Sequence, residues 1–530
     1  MIDTQPTPSA YEYPLLIRQL LHTPLTQTPA QEIVYASAQR FSYLEFGRRL
    51  RALAGALTAF GIGPGDTVAV MDWDSHRYLE CFFAVPMMGT VLHTINIRLS
   101  PDQILYTINH AEDDLIFVHR DFMPVIDEIR PRFERPVRIV PLDDYEDLLA
   151  GADTAFEFKD FDENTRATTF YTTGTTGLPK GVFFSHRQLV LHTLGFMAAL
   201  GWTAGHARFH RDDVYMPITP MFHVHGWGIP YIATLMGVKQ VYPGRYEAET
   251  LLDLIKREGV TFSHCVPTIL HMLLSHPKAA EVDFSGWKVI IGGAAMPPGL
   301  AQQALDLGID VFSGYGMSET CPMLSASQLT GAMLAESPDE QIRMRCKTGR
   351  AAPLVEIRVV DLDMNDIARD GNATGEIVTR APWLTMSYLK ETDRSEELWA
   401  GGYLHTGDIA TVDAEGYLQV TDRIKDVIKS GGEWISSLEL EGIISQCAGV
   451  SQVAVIGIPH DKWGERPLAL IVIEAGAPLD AETVLAHVRQ SVDDGVISRW
   501  AIPERIEFVD AIALTSVGKI DKKRLREAFS

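Results

Sequence analysis

No two cysteines in this chain stand close enough to make a CxxC pair. The five thiols, Cys81, Cys265, Cys321, Cys346 and Cys447, are scattered and odd in number. That argues against a disulfide frame or a cysteine zinc site and fits reduced thiols in a cytosol. Basic charge is also scarce. Lys and Arg number 46 against 69 Asp and Glu, a formal net charge of −23. No nucleic-acid partner is expected, because a polyanion needs a basic surface; a nucleotide ligand needs only a few local donors and stays admissible. No run approaches the roughly 18 apolar residues of a membrane span, and the apolar stretch from Leu189 is broken by His192 and Thr193. Residues Met1–Ser9 lack the basic start and apolar run of a secretory leader. The expected location is cytoplasmic, with peripheral membrane contact and a homodimer left open.

What is present reads as a multidomain α/β chain. Its 530 residues, 46 % of them apolar, exceed one ordinary core, and two to four domains of roughly 100–200 residues are expected. Ser42 and Glu45 have capping-box spacing. Leu50, Leu53, Leu57 and Phe60 follow as a helical stripe closed by Gly61. Short β-rich runs at Thr67–Met71, Thr90–Thr94 and Leu115–Val118 alternate with helices capped by Ser75 and Ser100. The pattern returns with strands Val260–Cys265, Val289–Ile291 and Ile309–Ser313 and a helix begun by Pro297 and Pro298. Such alternation predicts a parallel sheet covered on both faces. From Val355 to Val420 the texture becomes short strands and Gly-rich turns, an antiparallel meander or small barrel. A boundary is expected near Asp422. Beyond it lie helix Ser437–Ser445, strands Val453–Ile456 and Leu468–Ile473, helix Ala481–Val492, strand Ile506–Val509 and a basic helix from Asp521. No internal repeat or low-complexity tract is apparent.

The segment with most chemical character is Tyr171-Thr-Thr-Gly-Thr-Thr-Gly-Leu-Pro-Lys-Gly181. Glycines let backbone N–H groups approach anionic oxygens, hydroxyls add donors, and Lys180 adds charge. The residue types suit phosphate. It is not a Walker A loop, since Pro179 stands where that motif needs glycine and Gly181 where it needs Ser or Thr. Further along, and in this order, come Met221-Phe-His-Val-His-Gly-Trp227, Gly314-Tyr-Gly-Met-Ser-Glu319, Tyr403-Leu-His-Thr-Gly-Asp408, Asp422-Arg-Ile-Lys-Asp426 and Thr515-Ser-Val-Gly-Lys519.

Together these segments resemble the signature set of the adenylate-forming superfamily: acyl-CoA synthetases, peptide-synthetase adenylation domains and firefly-type luciferases. The likeness runs from about Phe41 to Arg526 and implies a large N-terminal domain of layered α/β subdomains with a small antiparallel barrel-like part, residues 1–421. A hinge at 422–426 then leads to a small mobile α+β domain, 427–530. It implies ATP, Mg²⁺ and coenzyme A as cofactor and co-substrates, with a carboxylic acid as the small-molecule partner. The loop residues Thr172, Thr173, Gly174, Thr176, Gly177 and Lys180 would hold phosphates, with Thr175 counted among the catalytic groups. Glu319 would ligate Mg²⁺, and Ser318 would donate to the α-phosphate. Tyr315 would pack on adenine beside Gly293, Ala294 and Ala295, with Gly314, Gly316 and Met317 completing the nucleotide site. Asp408 would accept the ribose hydroxyls, and Arg423 would reach ribose or phosphate. A plain Asp408–Arg423 ion pair is the alternative. His223 aligns with the family's carboxylate-side residue, with His225 as the competitor. Trp227 falls where fatty acyl-CoA synthetases place an aromatic gate, with Gly292 and Gly316 lining the same pocket. Lys425 resembles the hinge, Lys519 the adenylation lysine, and Gly431, Gly432 and Trp434 the path of the pantetheine arm.

The expected activity is an acid–thiol ligase that makes acyl-AMP and then acyl-CoA, acting on a medium- or long-chain fatty acid. Short substituted acids such as methylthiopropionate are the alternative. An acyl-AMP ligase loading a carrier protein is a rival, disfavoured because no carrier segment follows Ser530. A luciferase-like oxygenase is a weaker rival. A silent nucleotide sensor is disfavoured by the intact set Glu319, Asp408, Arg423 and Lys519.

Overall fold

In the computed structural model the strand–helix alternation resolves into two mixed sheets. The structure describes residues 6–36, 39–172, 178–203, 205–430, 433–474, 476–494, 496–515 and 520–529, with the backbone alone for 433 and 434. In the first sheet the spatial order is Arg138–Pro141, Leu115–Val118, Thr67–Met71, Val91–Thr94, Arg166–Thr172, Lys180–Ser185. All pairs are parallel except the last, an antiparallel hairpin. Its central strands are buried along their whole length, which is why they read as apolar runs without alternation. The flanking helices start where the sequence signals said. Ser42 and Glu45 form a reciprocal capping box at Tyr43–Ala59, and Ser75 caps His76–Met87. Ser100 and Gln103 form a second box at Pro101–Ala111. Leu50, Leu53 and Leu57 pack with Phe82, Phe83 and Leu92 in the largest core.

The second sheet has nine strands, ordered Arg350–Ala351, Met323–Ala326, Asp310–Gly316, Lys288–Ile291, Phe262–Cys265, Val214–Pro217, Lys239–Tyr242, Glu32–Tyr35, Gln39–Ser42. Its middle is parallel and both edges are antiparallel. Both sheets carry helices between parallel strands, as the layered α/β expectation has it, and in the second Glu32–Tyr35 joins Lys239–Tyr242 across some 200 residues of chain. Local periodicity carries no signal for such a pairing. The Val355–Val420 region is a sequential antiparallel meander, Glu356–Val360, Gly375–Arg380, Leu404–Val412 and Leu418–Arg423.

A further sheet begins at Ile428. Its long hairpin Val450–His460/Gly464–Ile473 carries Arg505–Phe508 in parallel on one side. Helices Ser437–Ser445, Ala481–Asp493 and Lys522–Phe529 belong to the same unit, which has its own apolar cores. Among the described residues no helix is long and apolar enough to cross a membrane.

Candidate active site

Gly292–Ala295 and Gly314–Gly316 lie side by side, because strands Lys288–Ile291 and Asp310–Gly316 are parallel neighbours with Ile291 opposite Ser313. The C-terminal ends of open parallel strands are where such sheets take ligands. Side chains are excluded from this seam by direct contact. A Cβ at Gly316 would lie 1.7 Å from the Pro322 carbonyl oxygen. At Gly292 it would lie 2.9 Å from Trp227 Cη2 and 3.0 Å from the Gly314 carbonyl oxygen. Gly293 has φ +77° and lies with Ala294 and Ala295 on an exposed stretch of backbone. Flat backbone of this kind suits a planar ring or a phosphate.

Tyr315 donates its hydroxyl to Asp408 Oδ2 at 2.7 Å, and Arg423 Nε lies 3.1 Å from Asp408 Oδ1. Asp408 and Arg423 face each other across adjacent strands. The ion pair weighed as the plain alternative thus exists, with Tyr315 as a third member. Desolvation disfavours the Arg423 charge, but the carboxylates of Asp408, Asp426 and Glu319 more than offset it. Burial pushes the Tyr315 phenol far up, so it stays a neutral donor.

Glu319 is buried and opens the other end of the site. Tyr388 donates to its Oε1 at 2.7 Å, and Lys180 Nζ sits 4.5 Å above the Tyr388 ring. The backbone fixes this meeting. Val182 bridges Tyr388, and Leu389 N–H donates to the Gly181 carbonyl at 2.8 Å. Lys180 and Thr172 stand opposite each other at the mouth of the Arg166–Thr172/Lys180–Ser185 hairpin. Thr173, Gly174, Thr175, Thr176 and Gly177 lie outside the described residues, as do Gly431, Gly432 and Lys519. Of Trp434 only the backbone, in strand Glu433–Ile435, is described. Ser318 and Glu319 open a short 3₁₀ turn to which Met317 is the N-cap. Tyr388 was missed in the sequence, being 69 residues from Glu319 with no motif to mark it.

The Met221–Trp227 segment has an unusual backbone. Val224, His225, Gly226, Trp227 and Gly228 all have positive φ, from +47° to +72°. For residues other than glycine this left-handed geometry costs about 1–2 kcal/mol each, so Val224, His225 and Trp227 together hold roughly 3–6 kcal/mol of strain. The turn separates the two histidines. His225 is fully buried among Phe82, Phe170, Phe184 and Tyr231, and neither ring nitrogen has a hydrogen-bond partner among the described residues. Burial lowers its pKa to about 3. His223 is half-buried, before the turn. Of the pair, only His223 is placed to meet a solvent-borne acid. Trp227 is 6 % exposed, with its ring 5.1 Å from His264 and its edge against Gly292. Tyr215 hydrogen-bonds His264 Nε2 at 2.8 Å, and Phe209, stacked on Phe262 at 4.3 Å, belongs to the same apolar cluster as Trp227.

Around the expected hinge, Asp422 accepts from both N–H and Oγ of Ser437 at 2.6 Å, and Arg526 pairs with Asp426 at 2.5 Å. Burial, then the neighbouring Arg423, lowers the Lys425 pKa. A group absent from the sequence reading lies beside strand Glu433–Ile435. Trp463 and Trp500 meet edge-to-face at 4.8 Å. Lys462 lies 4.4 Å over Trp463, and Arg499 lies 5.7 Å from Trp500. Arg466 ties Ser430 Oγ to the Trp500 carbonyl. Lone tryptophans give no sequence signal until folding pairs them.

Residues 21–389 match the family model described as AMP-binding enzyme, and residues 439–519 match that described as AMP-binding enzyme C-terminal domain. The chain is 38 % identical over 540 aligned residues to a 3-methylmercaptopropionyl-CoA ligase of Ruegeria lacuscaerulensis, covering 97 % of each. It is 39 % identical over 499 residues to a long-chain-fatty-acid–CoA ligase of Thermus thermophilus, covering 92 % of this chain and 90 % of that one. ATP-bound MatB from Rhodopseudomonas palustris superposes with a TM-score of 0.84 at 26 % identity, over 98 % of this chain and 99 % of that one. The chain therefore belongs to the AMP-binding enzyme family of the adenylate-forming superfamily. Within it the protein is an acid–coenzyme A ligase that uses ATP.

Proposed function

We propose that the acid is short, with a small apolar substituent, of the kind for which the Ruegeria relative is named. The observation carrying this reading is Trp227, buried against Gly292 and His264 within an aromatic cluster that includes Tyr215, Phe209 and Phe262. It acts as the floor of the acyl site. In the first step a carboxylate oxygen attacks the α-phosphorus of ATP in line, and the bond to pyrophosphate breaks. His223 lies on the carboxylate side, Lys180 and the Thr172–Gly177 loop grip phosphates, and Ser318 donates to the α-phosphate. Lys519 balances the charge that builds between carboxylate and phosphate. Tyr315, with Gly293–Ala295, receives adenine, and Asp408 with Arg423 receives ribose.

Glu319 is the carboxylate that would hold Mg²⁺. Among the described residues no group of three or more His, Cys, Asp or Glu converges on one point. A hard cation here would take its remaining ligands from phosphate oxygens and water.

In the second step residues 427–530 turn about Lys425 within the hinge 422–426, relative to residues 1–421. This withdraws Lys519 and brings the Gly431–Gly432 face, with Trp434, to the adenylate. The coenzyme A thiolate then attacks the acyl carbon, and AMP leaves. The Trp463–Trp500 pair with Lys462 and Arg499 offers a stacking face and cations to the nucleotide end of coenzyme A.

A second reading keeps the medium- or long-chain fatty acid, with Trp227 swinging aside as a gate. The strained turn that carries it favours this, since strain is released on moving. A screen of coenzyme A-dependent AMP release over acids of increasing length tests both. Best efficiency with short acids supports the floor, and a rise towards long chains overturns it in favour of the gate.

A further inference from the structure

The turn that carries His223 and Trp227 is strained, so something outside it must hold it. Its own hydrogen bonds are short-range: His223 N–H to the Pro220 carbonyl, Gly226 N–H to His223 and Gly228 N–H to His225. The external holds come from the other sheet. Thr94 Oγ1, at the end of Val91–Thr94, donates to the Phe222 carbonyl at 2.8 Å. One residue earlier, the Met221 N–H donates to Asp74 Oδ1 at 2.9 Å. Asp74 sits just beyond strand Thr67–Met71, 4 % exposed and 147 residues from Met221. Its other oxygen accepts the Tyr246 hydroxyl, and its carbonyl accepts Gly244 N–H at 2.8 Å. One carboxylate thus joins three loops at the C-terminal ends of both sheets, and one of the three becomes the acyl-site turn.

We infer that Asp74 is a positioning residue for the acid-binding site: by fixing Met221 it sets where the left-handed turn places His223 and Trp227. The inference rests on the proposal that this turn forms the acyl site. The nucleotide site is built elsewhere, on the ends of strands Lys288–Ile291 and Asp310–Gly316 and on the meander. Loss of Asp74 should therefore separate acid binding from ATP binding. Asp74 is flanked by Asp72, which is satisfied by Ser75 and Arg77, and Arg98 lies within its electrostatic reach. Burial, chiefly, raises its pKa to about 7. An amide at this position would keep an acceptor for Met221 whatever the pH.

The test compares Asp74→Ala, Asp74→Asn and Tyr246→Phe in the full chain, with thermal melts beside steady-state kinetics. A displacement of about 1 Å at a reacting group costs on the order of 100-fold. Asp74→Ala should therefore raise the acid KM or lower kcat on that scale, leaving the ATP KM within about twofold and changing the length preference. Asp74→Asn should restore most of the loss, because Oδ1 still accepts the Met221 N–H. Acid and ATP KM rising by the same factor would overturn the inference. So would an Asn variant no better than Ala at an equal melting temperature. The floor reading is tested separately: in a Trp227→Ala background, Asp74→Ala should no longer alter length preference. A further change there would overturn the route through Trp227. If Trp227→Ala alone leaves preference unmoved, the floor reading fails, while the KM split still decides the role of Asp74.

Discussion

Replacing Trp227 by alanine should convert the enzyme to longer acids. The indole fills the space between Gly292 and His264 and is 6 % exposed. Its removal leaves room for roughly four methylenes, at about 0.8 kcal/mol each. The gain for an acid long enough to fill that room is ~3 kcal/mol, on the order of 100-fold in kcat/KM relative to the parent acid. Short acids should lose a comparable margin, since they no longer touch a wall. The same change removes a large core side chain, for which about 3–5 kcal/mol of stability is the usual cost. Trp227→Phe therefore accompanies it as a milder step, with a smaller shift in the same direction. The assay is kcat/KM across acids of increasing length, with ATP saturating and the melting temperature measured on each variant. A uniform fall across all lengths, tracking lost stability, would refute the reasoning and leave Trp227 as core. An unchanged preference in a well-folded variant would refute it more directly.

Three other outcomes are expected. Tyr388→Phe removes the donor to buried Glu319, a hydrogen bond to a charged group of about 1.5–3 kcal/mol. Pyrophosphate release should weaken and demand more Mg²⁺, with the acid KM little changed; an effect confined to the acid KM would contradict the assignment. Lys519→Ala should lose adenylation by several orders of magnitude yet still convert supplied acyl-AMP and coenzyme A to thioester, and equal damage to both half-reactions would remove the case for domain alternation. His225→Phe concerns stability against pH. The folded-state value is about 3 and the ordinary one 6.5, so the unfolded chain binds the proton first. Stability is then full above pH 6.5 and falls by about 1.4 kcal/mol per unit as pH drops towards 3. Phe should remove that slope, narrowing the gap between denaturation midpoints at neutral and mildly acidic pH; an unchanged gap would mean the ring is not sequestered.

Much of the fold was legible because its signals are local. Ser42 with Glu45, Ser75 and Ser100 mark helix starts through bonds spanning one turn, and Gly61 follows the first of these helices at φ +84°, as its position suggested. The candidate site was readable in part for a different reason: its residues sit in short contiguous segments such as Gly314–Glu319 and Tyr403–Asp408. What escaped depends on distant chain. The pairing of Glu32–Tyr35 with Lys239–Tyr242 is one such case. The difference between His223 and His225 is made by Phe82, Phe170 and Phe184, which close around one and leave the other. Tyr388, Asp74 and the Trp463–Trp500 pair act through partners tens to hundreds of residues away, with no spacing to betray them.

The two halves of the site differ in how far they can change. The proposed nucleotide half includes glycine backbone pressed against other backbone: any side chain at Gly316 would overlap the Pro322 carbonyl. Such a contact leaves no graded substitution, so the proposed adenine recognition would be locked to the strand geometry. The proposed acid half rests instead on one short left-handed turn, held through a backbone N–H and a backbone carbonyl by Asp74 and Thr94. Because those holds grip backbone, side chains on the turn can change size without disturbing the anchor. A chain built this way can alter its acid by replacing a residue such as Trp227 while the adenylating machinery stays as it is. That separation is why the length preference, and not the ATP requirement, is the property that mutation of the turn should move.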